Sequence, residues 1–158
     1  MIYKVGMADA KVAKDGDSLR TLGLGSCVGI TLYDDILKIG GMAHIMLPVS
    51  NLDKEVNLAK FADTGVPYLL EMVLGMGAAR ARLKAKMAGG AQMFANAHGL
   101  EVIRVGPRNI EAVQEMLKKL HIPIIASAVG GNFGRTIELD CQTGKLGIRT
   151  AQYGESVI

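Results

Sequence analysis

The first residues alternate weakly, Ile2, Lys4 and Gly6 against Tyr3, Val5 and Met7, and this period of two predicts an opening strand. Residues 11–18 are polar and carry Asp15-Gly16-Asp17, a turn signal. Two apolar runs, 26–33 and 38–47, flank Asp34-Asp35-Ile36-Leu37 and predict a hairpin; residues 48–53 then read as loop. Leu69, Leu70, Met72, Val73 and Met76 recur at helical spacing, which places a first helix within residues 57–76, ended by Gly75 and Gly77. Pro67 falls inside it. Either the helix starts near Asp63 with Pro67 in its first turn, or it starts earlier and kinks.

From 80 to 87, Arg80, Arg82, Lys84 and Lys86 alternate with Ala81, Leu83, Ala85 and Met87, predicting a strand closed by Gly89-Gly90. Asn109 is expected to cap a second helix that runs to Leu120. A strand containing Pro123 extends through Ala128. A last hairpin pairs 135–140 with 145–150 about a turn at Cys141-Gln142-Thr143-Gly144. Two helices with six or seven strands, and hairpins toward both ends, predict an α+β fold.

Composition narrows the class. A length of 158 residues suits a single domain, 1–158, able to bury a core without disulfides or a structural metal. With 49% hydrophobic and 21% charged residues the chain is not of the disordered class. Its 20 glycines follow no collagen-like period and serve turns and close approaches. A net charge of +3 with 4 Tyr, 3 Phe and no Trp argues against nucleic acid as a partner. Cys27 and Cys141 form no C-x-x-C and have no histidine at zinc spacing. The opening residues lack an apolar core of signal-peptide length, and no run approaches the roughly 20 apolar residues that span a bilayer. A reduced, cytoplasmic chain without membrane insertion is expected.

Candidate chemistry concentrates between Thr21 and Leu47. A turn centred between Asp35 and Ile36 sets Cys27 opposite His44, on one face with Gly29, Thr31, Met42 and Gly40. Val28, Ile30 and Leu32 then share the other face with Ala43, Gly41 and Ile39, and a slip of one residue would separate Cys27 from His44. A histidine beside a cysteine takes its proton and makes a thiolate able to attack an acyl carbon. Such a base needs a third group to orient it. Thr21 is the local candidate, since the Gly-rich segment after it can fold it back beside the hairpin. The amides near Gly25, Ser26 and Cys27 are candidate oxyanion donors. Burial is the competing reading, because free cysteine is among the most buried residue types. Gly25-Ser26-Cys27-Val28-Gly29 lacks the helix that a hydrolase elbow requires, and the loop lacks the Gly-Lys-Ser/Thr ending of a P-loop.

These residues, with Gly41-Met42-Ala43-His44-Ile45-Met46-Leu47-Pro48, Phe61-Ala62-Asp63-Thr64 and Ala88-Gly89-Gly90-Ala91-Gln92-Met93-Phe94, resemble the CheD family of chemoreceptor glutamine deamidases. Gly106-Pro107-Arg108-Asn109, Gly130-Gly131-Asn132 with Arg135, and Thr143-Gly144-Lys145 continue the likeness, which spans about Ser18 to Thr150. The resemblance implies Cys27 as nucleophile, His44 as base and Thr21 as third member, acting through a thioester with no metal or organic cofactor. It implies a layered α/β sandwich of mixed and antiparallel strands similar to cytotoxic-necrotizing-factor-type deamidases. It further implies, as substrate, glutamines on the cytoplasmic helical bundle of methyl-accepting receptors, and a CheC-type phosphatase as partner. The alternative is a non-catalytic adaptor that binds receptor or phosphatase helices.

The remaining candidates are weaker. Asn132 and Arg135 either contact a substrate amide or stabilise their own loop. Arg82 and Lys84, with Arg80 and Lys86, form either a solvated strand face or a contact for acidic partner helices, and Phe94 is either buried or a helix contact. His98 and His121 read as surface histidines, and Cys141 as incidental.

Overall fold

The computed structural model describes residues 1–51, 57–93 and 104–158. In chain order these form β1 (Ile2–Lys4), β2 (Ala10–Lys14), β3 (Ser18–Leu24), β4 (Val28–Asp34), β5 (Ile39–Ile45), α1 (Ala62–Gly75), β6 (Lys84–Gly89), α2 (Val105–Lys119), β7 (Ile124–Val129), β8 (Arg135–Asp140), β9 (Leu146–Thr150) and β10 (Gly154–Val157). Two five-stranded sheets result, ordered β1-β3-β8-β9-β10 and β2-β5-β4-β6-β7. Both are mixed: β1–β3 and β6–β7 are parallel, and the other pairs antiparallel. The α+β architecture is therefore as expected, with more strands than the pattern showed.

Every residue of β4 and β5 is buried. The cause is layering: Val28, Ile30, Leu32, Ala43 and Ile45 pack with α1 and α2. On the opposite face Tyr33 and Met42 pack against Leu19, Leu24, Ile137 and Leu139 of the other sheet. A sheet covered on both sides reads as a nearly continuous apolar run, which is why this hairpin stood out. The strands at the rim are polar or exposed. β1 and β10 are exposed throughout, too short and too polar for periodicity to reveal β10.

The hairpin turn is shifted. It spans residues 35–38, so Gly29 faces His44 and Thr31 faces Met42. Asp34 explains the shift. Its carboxylate accepts from the Ile36 and Leu37 N–H groups at 3.0 and 3.2 Å, which keeps Asp34 in β4 opposite Ile39. Lys38 closes the turn at φ 57°. Cys27 consequently lies diagonal to His44, not directly opposite. The shift is even, so the assignment of residues to the two faces survives.

Three other expectations change. Residues 80–82 form a 3-10 turn ahead of β6, so Arg80 and Arg82 share no strand face with Lys84 and Lys86. Arg82 instead bonds the buried Asp34 carboxylate through Nε and Nη2 at 2.9 and 2.8 Å. The helix α1 begins at Ala62, which puts Pro67 beyond its first turn. Asn109 caps nothing: α2 starts four residues earlier, after Arg104, and Asn109 lies within it, fully buried. Among the described residues no helix is long and apolar enough to cross a membrane.

Candidate active site

Where the two sheets face each other, β3 of one presents Thr21 to His44 on β5 of the other. Both side chains are completely buried. Thr21 Oγ1 stands 2.7 Å from His44 Nδ1 and 2.7 Å from the Val5 carbonyl oxygen. A hydroxyl has one proton, and a carbonyl oxygen can only accept. Thr21 therefore donates to Val5 and accepts from His44, so Nδ1 carries the ring proton. Nε2 is left with its lone pair, and it has no hydrogen-bond partner among the described residues.

Cys27 occupies the link between β3 and β4 and is half-buried, its thiol free of any disulfide. Continuing the hairpin register puts it on the His44 face, where diagonal neighbours sit roughly 7–8 Å apart, within reach of a ring that projects between them. Gly29, directly opposite His44, contributes no side chain to the space. Desolvation raises the Cys27 pKa, opposed by its own backbone N–H beside the sulfur. Desolvation also lowers the His44 pKa. Both shifts favour a neutral thiol and a neutral imidazole at rest.

The link itself is held from several sides. The Gly25 carbonyl accepts from Ala91 N–H at 2.9 Å, and that of Cys27 from Gly90 N–H at 2.8 Å. The Ser26 carbonyl accepts from Asn109 Nδ2 at 2.9 Å. A half-exposed sulfur on a fixed backbone can attack an electrophilic carbon once deprotonated, and an imidazole whose Nε2 lacks a partner among the described residues is a group able to take that proton.

The family model described as CheD chemotactic sensory transduction matches residues 46–150. Curated relatives extend the likeness across the link and the hairpin. A protein of Halalkalibacterium halodurans named chemoreceptor glutamine deamidase CheD is 54% identical over 159 residues, covering 99% of this chain and 98% of the relative. Its counterpart in Caldanaerobacter subterraneus subsp. tengcongensis, named a probable chemoreceptor glutamine deamidase CheD, is 51% identical over 158 residues, covering 99% and 98%. A Bacillus licheniformis protein with the first of these names is 48% identical over 159 residues, covering 99% and 95%. The chain belongs to the CheD family.

The other candidates fall into place around this CheD-family site or away from it. The Gly130 loop is tied to the end of β6 and the residues after it, through Gly130 N–H to Gly89 O and Gln92 N–H to Gly131 O, both at 2.9 Å. Arg135 is buried, donates to Gly130 O at 2.9 Å and lies 4.2 Å over the Phe133 ring. Burial lowers its pKa. Asn132 is exposed within that loop. Lys84 is exposed on β6, whereas Lys86 donates to the Gly144 and Ile158 oxygens at 2.8 Å each. Phe94 and His98 lie outside the described residues. Cys141 is buried between the sheets, its thiol pushed up to about 11 by desolvation, which keeps it unreactive. Sequence reasoning missed Val5 and Asn109 as parts of the site. A carbonyl leaves no sequence signal, and a buried helical asparagine resembles a cap when the helix start is misplaced.

Proposed function

We propose that this CheD-family chain deamidates glutamine side chains of chemoreceptors to glutamate, with Cys27 as nucleophile, His44 as general base and Thr21 as the group that orients His44. One observation carries the assignment of roles. The Val5–Thr21–His44 chain of hydrogen bonds leaves Nε2 unprotonated and without a partner among the described residues, on the sheet face against which Cys27 packs.

The chemistry follows from that arrangement. His44 Nε2 takes the Cys27 proton as sulfur attacks the amide carbon, forming a C–S bond and moving the C=O π pair onto oxygen. The Cys27 N–H donates to that oxygen. When the oxyanion collapses, the C–N bond breaks and the imidazolium hands its proton to the departing ammonia. Water, deprotonated by the same Nε2, then adds to the thioester carbon. The C–S bond breaks, glutamate forms and Cys27 regains a proton. Each His44 step uses one nitrogen, while Nδ1 stays bonded to Thr21 throughout.

A glutamine on a helical receptor bundle offers its amide on a projecting side chain, which suits a half-exposed thiol backed by rigid strands. On this reading the site lies in the cytoplasm, works without a bound cofactor, and is modulated by a CheC-type phosphatase. Asn132 and Arg135 border the substrate, and Lys84 and Phe94 belong to the partner surface. Arg82, committed to Asp34, is not part of it.

Incubation with a receptor cytoplasmic fragment, with and without a CheC-type protein, followed by site-resolved mass analysis, tests the proposal. Conversion of particular glutamines by the unaltered protein and none by Cys27→Ala is expected. If both proteins leave every glutamine intact but bind the fragment equally, the chain is an adaptor and not an enzyme.

A further inference from the structure

The face that α2 turns inward consists of Gly106, Asn109, Val113 and Leu117. Three of these suit an apolar seam; an asparagine does not. Its Nδ2 donates twice, to Ser26 O at 2.9 Å and to Met46 O at 2.9 Å. The opposite amide orientation would set Oδ1 against two carbonyl oxygens, so the assignment follows from the acceptors. Oδ1 is buried without a partner among the described residues, a cost that apolar packing would not incur.

Both acceptors lie just past the ladder of β4 and β5, whose terminal pair is Val28 with Ile45. Asn109 thus extends the hairpin by a cross-link the strands cannot make. Helix α2 approaches closely enough to do so because Gly106 has no Cβ; one there would collide with the Ala91 carbonyl.

The Ser26 carbonyl and the Cys27 N–H are the two ends of one planar trans peptide unit, and there is no cis bond among the described residues. Anchoring the oxygen therefore fixes the direction of the N–H, which points the opposite way. That N–H donates to no carbonyl among the described residues and sits beside the Cys27 sulfur.

We propose that Asn109 is a positioning residue: by holding the Ser26 carbonyl it aims the Cys27 N–H at the oxyanion formed when Cys27 attacks an amide. This rests on the reading of Cys27 as nucleophile. Asn109 touches no substrate and acts through one peptide plane.

The test compares Asn109→Leu and Asn109→Ser with the unaltered protein on a receptor cytoplasmic fragment. It measures kcat and KM separately, together with the pH profile of Cys27 alkylation by iodoacetamide and the circular dichroism melt. Alkylation needs the thiolate but develops no oxyanion. The expected result is a kcat lower by roughly 10–100-fold with KM and alkylation within about threefold. A folded Asn109 variant whose kcat stays within about twofold overturns the proposal. So does an equal loss of deamidation and alkylation, which marks general disruption. If neither variant folds, amide exchange in the unaltered protein decides. The Cys27 N–H is expected to exchange faster than the interior amides of β4, and equal protection overturns the proposal. Failure of the nucleophile reading looks different: Cys27→Ala would then retain activity.

Discussion

Thr21 Oγ1 and His44 Nδ1 stand 2.7 Å apart across the interface of two sheets, with the threonine proton already given to Val5. Thr21 therefore selects the histidine tautomer as well as its orientation. Thr21→Val keeps the shape but removes the acceptor, leaving Nδ1–H buried and unpaired. We expect kcat to fall roughly 10–100-fold with KM little changed, and Thr21→Ser to restore most of it. Nitrogen NMR of His44 checks the cause: protonation at Nδ1 in the unaltered protein, and a mixture of tautomers in Thr21→Val.

The resting charge state is testable through pH. Desolvation raises the Cys27 pKa and lowers that of His44, which favours the neutral form of each. Iodoacetamide alkylation of Cys27 should rise steadily with pH into the alkaline range. A plateau extending down to acidic pH would reveal a resting ion pair. Deamidation should lose activity on the acid side only below pH 6.5, the ordinary histidine value, because protonating His44 removes the base.

Gly29 faces His44, and a Cβ there would stand 2.5 Å from Ile137 Cδ1 and 3.0 Å from Leu24 Cδ1. Ile137 is also the cross-strand partner of Thr21. Gly29→Ala should therefore destabilise the protein by about 1–3 kcal/mol and press Ile137 toward Thr21. Urea unfolding would register a lower midpoint at unchanged slope.

Asp34 is wholly buried and accepts from Arg82 and from the N–H groups of Ala79, Ile36 and Leu37. The Arg82 guanidinium, foremost, holds its pKa well below the carboxylate range. The stability this confers is complete above the unfolded value of 3.8 and is lost as pH falls from there toward the folded value. Arg82 is 38% exposed, so solvent screens one side of the pair. Asp34→Asn should cost about 2–3 kcal/mol at neutral pH and flatten the acid limb of a melting-temperature profile.

What was legible in the sequence is instructive. The buried hairpin, the helical stripe of α1 and the hairpin β8–β9 stand out because strong periodicity or unbroken apolar runs mark them. β2 and β3 fall in a segment that reads as polar turn and glycine link, since their buried residues alternate with exposed lysines, a half-buried arginine and an exposed glycine. The turn was misplaced by one residue because Asp34 looks like a loop residue, and only its contacts explain a carboxylate inside a strand. The Gly-rich segment after Thr21 predicts that it folds back beside the hairpin, and it does stand against His44. It reaches His44 from the facing sheet, a relation between layers that hydropathy does not encode. Asn109 was misread for a similar reason, because its partners lie 83 and 63 residues away in the chain.

The most direct measurement is to quench the protein in acid while it turns over a glutamine-containing receptor peptide, then locate any adduct by mass. Acylation of Cys27 by the peptide less ammonia, absent in a folded Cys27→Ala variant that also releases no ammonia, is the predicted result. Ammonia release that persists in Cys27→Ala, or an acyl group found on another residue, would contradict it.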